Sequence, residues 1–320
     1  MSDLAAFRNR LSRNSRHWSR WAHRQDIDCF RVYDRDVPQF PLAIDRYGPR
    51  VHLQEFDTGW QQTELEHAAW VDAVIGVVGE TLELPADHIH FKRRERQRGA
   101  AQYERLRERP EEFSVVEGGL RFLVNLDSYL DTGLFLDHRK TRGLVRAAAA
   151  GRRFLNLFAY TGSFTVYAAA GGAIYSESVD LSNTYLDWAG RNLRLNGYDL
   201  GRHQLIRADA FAYLDGAARA GKKFDLIVLD PPSFSNSKRM ENVLDVQRDH
   251  PRLIAGCVRL LSEAGELFFS TNRRHFELDP SVSDSCHHNA IHHWSVPEDF
   301  RNRAIHCCWR ITAKNPKPEI

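Results

Sequence analysis

The 320-residue chain has 42% hydrophobic and 27% charged residues, as an ordinary globular protein with room for two domains would. Its 44 Lys and Arg nearly balance its 42 Asp and Glu, which excludes a uniformly basic nucleic-acid-binding tail. No apolar run approaches the ~20 residues that span a bilayer, and the polar N-terminus lacks a signal core. We therefore expect a cytoplasmic protein without membrane contact. Five cysteines without a CxxC pair argue against a disulfide framework or a zinc ribbon.

Residues 5 to 25 predict an amphipathic helix. Phe7, Leu11 and Trp18 recur on one face at helical spacing, and arginines occupy most of the opposite face. Two interpretations remain open at this point. The helix either packs by its apolar face and leaves a solvated basic face, or uses the basic face to contact phosphates.

The segment from 28 to 125 predicts a mixed α+β domain. We expect strands at 29–33, 42–46, 51–56 and 89–92, a helix at 63–80, and a hairpin around Glu117-Gly118-Gly119. A nearly single-signed basic run follows the fourth strand in a predicted loop, which favours RNA contact over a merely solvated face. The predicted RNA-contacting residues of this run are Lys92, Arg93, Arg94, Arg96 and Arg98.

From about residue 150 the pattern changes to alternating strands and helices. This alternation predicts an α/β fold with a doubly wound, mostly parallel sheet of about seven strands. The predicted strands are 153–158, 174–179, 204–207, 224–229, 266–270, 291–294 and 304–311, and the predicted helices are 163–171, 182–196, 210–220 and 241–261. We accordingly expect an N-terminal α+β domain at 1–125 and the doubly wound domain at 126–320.

The segment Asp230-Pro231-Pro232-Ser233-Phe234 follows the apolar strand predicted at 224–229. The C-terminal edge of such strands is where open α/β sheets hold ligands. Two prolines stiffen the backbone and remove two N–H donors, and Phe234 offers a flat face for stacking. The segment predicts a site for an aromatic base beside a bound cofactor; an ordinary strand exit with a solvated Asp230 is the alternative.

The turn after the first strand of the predicted sheet is Ala159-Tyr160-Thr161-Gly162. A dinucleotide site would have G-x-G-x-x-G there, so the single glycine favours a cofactor with an uncharged linker. Asp180 ends the second strand and could accept hydrogen bonds from ribose hydroxyls, while Asp209 follows the third and could accept from an adenine amino group. Either acid could instead cap a helix. Together the turn and the acids favour an adenosine-containing cofactor.

These motifs resemble the class I S-adenosylmethionine-dependent methyltransferases. Longer stretches between about Asn9 and Thr312 resemble the C-terminal half of the bifunctional ribosomal RNA large-subunit methyltransferase K/L family. The stretches that carry the closer resemblance are 92–99, Asp131-Thr132-Gly133-Leu134-Phe135-Leu136-Asp137-His138-Arg139, Asn192-Leu193-Arg194-Leu195-Asn196-Gly197, 233–241 and Asp245-Val246-Gln247-Arg248-Asp249-His250.

The resemblance implies S-adenosylmethionine as cofactor and N7 of a guanine in 23S rRNA as target, in free RNA or in a large-subunit assembly intermediate. We expect a lid strand against the cofactor, formed by Phe135, Asp137, His138 and Arg139. The cofactor-binding residues so implied are Phe135, Asp137, Arg139, Asn156, Phe158, Ala159, Tyr160, Thr161, Gly162, Asp180, Leu181, Ser182, Asp209 and Ala210. The catalytic wall would consist of Asp230, Pro231, Pro232 and Phe234, with Lys238 and Arg239 on RNA phosphates.

The companion half of that family, with a second methyltransferase, is absent from this sequence. A separate guanine-N2 methyltransferase is therefore a candidate partner, and we expect a monomer or a weak dimer. Residues 279–300, rich in His and Asp, resemble the family poorly. The spacing of His287, His288, His292 and His293 could bind a metal, but no Cys or carboxylate completes the set, so we expect no metal.

Several other functions remain open from the residues alone. Methylation of guanine N2 would use the same loop, through carbonyl acceptors for the amino hydrogens. Methylation of cytosine C5 needs a thiolate, and no cysteine is predicted in a loop at the ligand edge. A non-catalytic RNA-binding assembly factor and a nicotinamide-dependent reductase are further alternatives, which the three acids and the single-glycine turn disfavour.

Overall fold

Two sheets organise the chain, each with its own helices and its own apolar core. The computed structural model describes residues 4–59, 61–94, 112–128, 131–235 and 243–314. The chain divides into two compact units, Met1–Thr132 with Glu298–Asn302, and Gly133–Pro297 with Arg303–Ile320. Within the described ranges, no helix is both long enough and apolar enough to cross a membrane.

The first unit has a four-stranded sheet in the order β1-β2-β3-β4, with the first three strands antiparallel and β4 parallel to β3. Two helices pack on it, and a two-stranded hairpin, β5–β6, accompanies it. The elements are α1 (Leu4–Arg24), β1 (Cys29–Asp34), β2 (Leu42–Tyr47), β3 (Arg50–Phe56), α2 (Glu64–Leu82), β4 (Ile89–Arg94), β5 (Glu112–Glu117) and β6 (Leu120–Asn125). This unit matches the predicted α+β content, including the hairpin turn at Gly118 and Gly119, both with positive φ.

Helix α1 buries Phe7 and Leu11 completely against the first sheet. The Phe7 ring stacks on Phe40 with centroids 4.6 Å apart, so the apolar face predicted for this helix lies in the core. The segment Glu298–Asn302 belongs to the same unit, because Asp299 Oδ2 accepts a 2.9 Å hydrogen bond from the Arg31 amide. That return of the chain is a long-range contact that no local sequence pattern signals.

The second unit has a seven-stranded sheet in the order β14-β15-β13-β10-β7-β8-β9. The five strands from β13 to β9 run parallel, and β15 and β14 are antiparallel additions at one edge. This is the predicted doubly wound, mostly parallel sheet of seven strands. The sheet strands and main helices are α3 (Arg139–Ala148), β7 (Arg153–Leu157), α4 (Ser163–Ala170), β8 (Tyr175–Asp180), α5 (Asn183–Leu195), β9 (His203–Arg207), α6 (Ala210–Arg219), β10 (Phe224–Leu229), α7 (Val246–Leu260), β13 (Leu261–Thr271), β14 (Cys286–Ala290) and β15 (Cys307–Ala313).

Shorter elements complete the unit. A two-stranded ladder pairs β11 with β12, and single-turn elements precede α3 and flank β14. Their bounds are Leu136–His138 (a 3-10 turn), β11 (Phe234–Ser235), β12 (Leu244–Asp245), α8 (Val282–Ser285) and α9 (His292–Ser295).

The strand order places a topological switch point between β7 and β10. From β7 the chain continues outward to β8 and β9, then returns to β10 on the other side of β7. Leu157 and Leu229, the last residues of these parallel strands, lie in register. The turn that starts at Phe158 and the loop that starts at Asp230 therefore leave the sheet side by side, where such folds bind ligands.

Three local predictions were wrong. The strand expected at 291–294 is the helix α9, and the edge strand β14 lies earlier, where polar residues are tolerated because both faces of an edge strand can be exposed. The expected lid strand at 135–139 is instead the 3-10 turn followed by α3. The helix expected from 241 begins at Val246, since Asp245 caps it by accepting a hydrogen bond from Gln247 N.

Candidate functional site

The turn between β7 and α4 has an unusual backbone. Phe158, Tyr160 and Gly162 all adopt positive φ, at 58°, 49° and 74°, a conformation that is strained for the two aromatic residues. Side-chain packing holds this shape. A Cβ on Gly162 would lie 2.7 Å from the Cβ of Ala189 on α5, so glycine is required there. A strained turn fixed in this way brings backbone close to whatever binds at the switch point.

Asp180 lies beside this turn, at the end of β8. Its Oδ2 accepts a hydrogen bond from Tyr160 N and its Oδ1 accepts one from Ser182 N, both at 2.9 Å. Burial raises the pKa of Asp180, and hydrogen bonds from backbone amides partly offset that effect. Because a carboxylate oxygen has two lone pairs, each oxygen can still accept from a hydroxyl such as those of a ribose.

Asp209 follows β9 and caps α6. Its Oδ1 accepts hydrogen bonds from Phe211 N at 2.9 Å and Ala212 N at 3.1 Å. Among the described residues, Oδ2 has no hydrogen-bond partner, so one oxygen of the capping carboxylate remains available. Helix capping and ligand binding, the two interpretations of this residue, are thus compatible. Ala210, its predicted companion, is buried as the first residue of α6.

Not every predicted cofactor residue reaches the ligand edge. Asn156 is 1% exposed within β7, and its amide donates to Thr165 Oγ1 at 3.0 Å. Leu181 is half-buried in the β8–α5 connection, and Ser182 caps α5 by accepting a 3.4 Å hydrogen bond from Tyr185 N. Asn156 therefore supports the sheet from within, while Ser182 shapes the loop around Asp180.

The segment before α3 packs on the cofactor turn. Thr161 Oγ1 donates to Gly133 O at 2.6 Å, and Tyr160 Oη accepts from Gly133 N at 3.1 Å. The Phe135 ring, 40% exposed, lies 5.2 Å from the Tyr160 ring. Arg139 is buried as the first residue of α3. The two aromatic rings form an apolar wall next to Asp180 on which a planar group could pack.

The Asp230 loop is anchored to the end of β13. Ser270 Oγ donates a 2.6 Å hydrogen bond to Asp230 Oδ1, and Ser233 Oγ donates a 2.7 Å bond to Asn272 Oδ1. Pro231 is buried and Pro232 is half-buried, whereas the Phe234 side chain is 52% exposed. An exposed phenylalanine beside an oriented carboxylate suits a base that enters from solvent.

A buried histidine cluster adjoins Asp230. The His138 and His306 rings stack with centroids 4.3 Å apart and an interplanar angle of 8°. His306 Nδ1 lies 2.9 Å from Asp137 Oδ2 and its Nε2 lies 2.8 Å from Ser295 Oγ. Since an ionised carboxylate only accepts, the network assigns the His306 proton to Nδ1. His138 Nε2 lies 3.7 Å from Asp230 Oδ2.

Burial and neighbouring charges shift the pKa values of Asp137 and His138 in this cluster. Burial would raise the pKa of Asp137, but His138, His306 and Arg142 outweigh it and hold that pKa well below its usual range. Burial lowers the pKa of His138, although Asp230 and Asp137 oppose this. Asp137, His138 and His306 have donor atoms close enough to group around an ion. However, both ring nitrogens of His306 already have hydrogen-bond partners, which suits a hydrogen-bonded cluster better than a metal centre.

The predicted RNA-contacting residues are only partly placed. Lys92 is 9% exposed, and burial lowers its pKa to about 8 against the attraction of Asp131 and Asp127. Arg93 is exposed, with Nε 3.8 Å from Glu55 Oε2, and the backbone of Arg94 ends β4. Arg96, Arg98, Lys238 and Arg239 lie outside the described residues.

The sequence did not indicate Ser270, Asn272, Ser295 or His306 as site residues. Ser270 lies in a predicted strand and His306 in another, where an isolated polar residue carries no signal of its own. Only the strand order places β13 next to β10 and β15 next to β13. Their partners in the site come from distant parts of the sequence, so no local pattern indicates them.

Comparisons with known proteins agree with this geometry. The profile of the S-adenosylmethionine-dependent methyltransferase family matches residues 83–295. Ribosomal RNA large subunit methyltransferase K of Neisseria meningitidis is 56% identical over 315 residues, which cover 98% of this chain and 89% of that protein. The methyltransferase K/L of Methylococcus capsulatus is 47% identical over 311 residues. Those residues cover 96% of this chain but 42% of that protein, so the chain spans less than half of the K/L relative.

A solved structure supports the same conclusion. A protein assigned as a methyltransferase and crystallised with SAH is 25% identical and superimposes with a TM-score of 0.77, over 97% of this chain and 82% of that one. The site also fits such a molecule: Asp180 and Asp209 keep free acceptor positions next to an apolar aromatic wall. The chain belongs to the S-adenosylmethionine-dependent methyltransferase family, and S-adenosylmethionine is its cofactor.

Proposed function

We propose that the chain methylates N7 of a guanine in 23S rRNA, in free RNA or in a large-subunit assembly intermediate. The observation that carries this proposal is the oriented Asp230 carboxylate, fixed by Ser270 beside the exposed Phe234 at the switch point. The 56% identity to a ribosomal RNA large subunit methyltransferase supports the RNA class. The resemblance of the sequence motifs to the K/L family supports N7.

Each part of the site has a role in this reaction. S-adenosylmethionine supplies an electrophilic methyl group, with Asp180 and Asp209 as the carboxylates that would hold its adenosine. Phe234 stacks on the guanine, and the Pro231–Pro232 backbone offers no N–H that could compete for the N7 lone pair. Alignment of N7 with the methyl carbon is then the main contribution of the enzyme.

Asp230 contributes charge rather than proton transfer. N7 carries no proton, so no general base is needed, and the methylated ring becomes cationic. A carboxylate already oriented by Ser270 stabilises that developing charge without reorganisation. His138 faces the other oxygen of Asp230 and is kept uncharged by burial, which leaves the negative charge of Asp230 largely uncompensated.

The structure disfavours a thiolate mechanism at cytosine C5. Cys308 of β15 lies directly across from Ser270 in the sheet, next to the acceptor loop. Its side chain is fully buried, and burial together with the charge of Asp230 raises its pKa far above neutrality. A thiol that remains protonated is a poor nucleophile. Guanine N2 stays the main competing target, because the same loop could accept its amino hydrogens.

Primer extension and chemical cleavage of 23S rRNA test the proposal. Purified protein is incubated with S-adenosylmethionine and 23S rRNA from a strain that lacks its gene. Borohydride and aniline cleavage at one guanine, present with the wild-type protein and absent with Asp230→Asn, is the expected result. Methylation that appears only as a primer-extension stop at guanine N2, or only in tRNA, would overturn it.

The proposal also covers the RNA-contacting residues, the cellular location, the oligomeric state and the partner. We place Arg93, together with the neighbouring Arg94, Arg96 and Arg98 and with Lys238 and Arg239, on the RNA backbone. We propose a cytoplasmic monomer or weak dimer. A separate guanine-N2 methyltransferase is its proposed partner.

A further inference from the structure

Helix α1 has a charge composition unlike the rest of the chain. Its 21 residues include six arginines and no acidic residue. The whole chain has 44 Lys and Arg against 42 Asp and Glu, so without α1 it would carry a net negative charge. The family profile begins at residue 83, which means that this basic helix lies outside the methyltransferase fold it describes.

Four of these arginines form a stripe along the helix. Arg13, Arg16, Arg20 and Arg24 are spaced by three, four and four residues, which places them within about 80° of arc on one face. All four are exposed. They lie on the side opposite Phe7 and Leu11, which are fully buried. The stripe is about 16 Å long at 1.5 Å per residue.

No neutralisation of this stripe is seen within the described part of the chain. Among the described residues, no acidic side chain forms an ion pair with any of its four arginines. Instead, Arg16 Nε donates to the Ser12 carbonyl and Arg20 Nε donates to the Arg16 carbonyl, at 3.3 and 3.0 Å. Arg8 differs, because its Nη2 pairs with Glu80 at 2.7 Å. Like charges at this spacing repel and destabilise a helix slightly, so an anionic partner would relieve a real cost.

We propose that the stripe of Arg13, Arg16, Arg20 and Arg24 binds the phosphate backbone of the substrate RNA. This inference rests on the proposed function, to which it adds a second RNA-contacting surface. At about 3.4 Å of axial rise per phosphate, a 16 Å stripe faces about five phosphates of one strand. Guanidinium groups suit phosphates because they can donate two parallel hydrogen bonds.

An anionic membrane fits the helix less well. Amphipathic helices bind membranes by inserting an apolar face, and the apolar face of α1 is used in the protein core, with Phe7 stacked on Phe40. Contacts to phosphates alone carry no sequence information. The stripe would therefore set affinity and orientation, while the Asp230 loop would select the base.

Salt-dependent RNA binding tests the proposal. The four arginines are replaced together by glutamine, which has similar helix propensity, and in a second variant by lysine, which keeps the charge. Arg8→Gln on the same helix is the matched control. Binding of a 23S rRNA fragment is measured by fluorescence anisotropy over a series of salt concentrations, and binding of S-adenosylhomocysteine by calorimetry. Circular dichroism confirms that each variant keeps its helix content.

The expected result is specific. The slope of log affinity against log salt should become shallower by about 3 in the glutamine variant, at 0.7–0.9 per lost phosphate contact, and stay nearly unchanged in the lysine variant and in Arg8→Gln. S-adenosylhomocysteine binding should not change.

Other outcomes would distinguish failure of the α1 surface from failure of the proposed function. An unchanged slope in the glutamine variant, with wild-type protein that methylates rRNA, would overturn the α1 surface and leave the proposed function intact. A shallower slope with wild-type protein that methylates no rRNA would support the surface and overturn the proposed function. Binding of the glutamine variant to anionic vesicles and to polyglutamate is measured in parallel; loss of either, with RNA binding unchanged, would overturn the assignment to RNA.

Discussion

His138 Nε2 lies 3.7 Å from Asp230 Oδ2, at the point where the acceptor loop meets the 3-10 turn before α3. The distance is too long for a strong hydrogen bond, and burial keeps the imidazole neutral by lowering its pKa. Ser270 is therefore the group that fixes Asp230, through a 2.6 Å bond. His138 fills the other side without cancelling the negative charge, which suits a site for a cationic product.

Asp230→Asn should slow methyl transfer strongly and change RNA binding little. The amide keeps the shape but loses the charge that stabilises the methylated ring, so we expect kcat to fall about 10²-fold. Ser270→Ala should cost less, since the carboxylate remains but can rotate. Single-turnover methylation and RNA binding by anisotropy separate the two effects. Weaker RNA binding with unchanged kcat would mean that the loop is an RNA clamp.

Asp180→Asn should weaken S-adenosylhomocysteine binding by at least about tenfold. The substitution replaces one acceptor oxygen by an NH2 group that cannot accept from a ribose hydroxyl, and a hydrogen bond to a charged group is worth roughly 1.5–3 kcal/mol. Isothermal titration calorimetry measures the loss. Asp187→Asn, an exposed acid on α5, is the control and should bind as the wild type does. Equal affinities for all three proteins would remove Asp180 from the cofactor site.

Gly162→Ala should destabilise the protein by about 2–4 kcal/mol. The added Cβ meets the Ala189 Cβ at 2.7 Å, and φ is +74°, so overpacking and backbone strain both act. Gly151→Ala separates these two causes, because φ there is +70° and nothing lies within 4 Å of the new Cβ. Urea unfolding should show a loss of only about 1 kcal/mol for Gly151→Ala. Equal losses of stability in the two variants would show that the contact with Ala189 does not contribute to the effect of Gly162→Ala.

His138→Gln should make the free energy of unfolding fall less as the pH is lowered from about 7 to about 5. Since burial lowers the pKa of His138 in the folded state, the unfolded chain binds a proton there first as the pH falls below about 6.5. The native state therefore loses stability at acidic pH, and glutamine removes this effect. Urea unfolding between about pH 5 and pH 7 measures it, with the exposed His17→Gln as control. An unchanged pH dependence in His138→Gln would show that the ring titrates normally.

Arg153→Gln should reduce stability above about pH 4 but not near pH 2. The Arg153 guanidinium lowers the pKa of Asp225 to about 2, below its ordinary value near 4. A depressed carboxyl pKa stabilises the fold above the unfolded pKa, and that stabilisation disappears as the pH falls toward 2. Because both side chains are partly exposed, we expect only about 0.5–1 kcal/mol. Thermal unfolding at pH 7 and at low pH tests this, and a pH-independent difference would contradict it.

The sequence by itself determined the architecture of the second unit and the position of its ligand edge. Continuous apolar runs such as 224–229 and the intervening helical patterns are local signals, and their order admits few topologies. Asp180, Asp209 and Asp230 follow the ends of parallel strands, so a common edge could be predicted before any contact was known. The single glycine in the turn at 159–162 also favoured a cofactor with an uncharged linker.

Only the tertiary structure decided what surrounds each of these groups. Ser270 approaches Asp230 because β13 pairs with β10, and His306, which precedes β15, approaches Asp137 because β15 pairs with β13. Neither pairing leaves a trace in local periodicity. The exposure of Lys92 was also decided by the fold: this residue was predicted to contact RNA, but its side chain is only 9% exposed. Charge and apolar spacing are properties of neighbouring residues, whereas hydrogen-bond partners and burial depend on which elements the fold brings together.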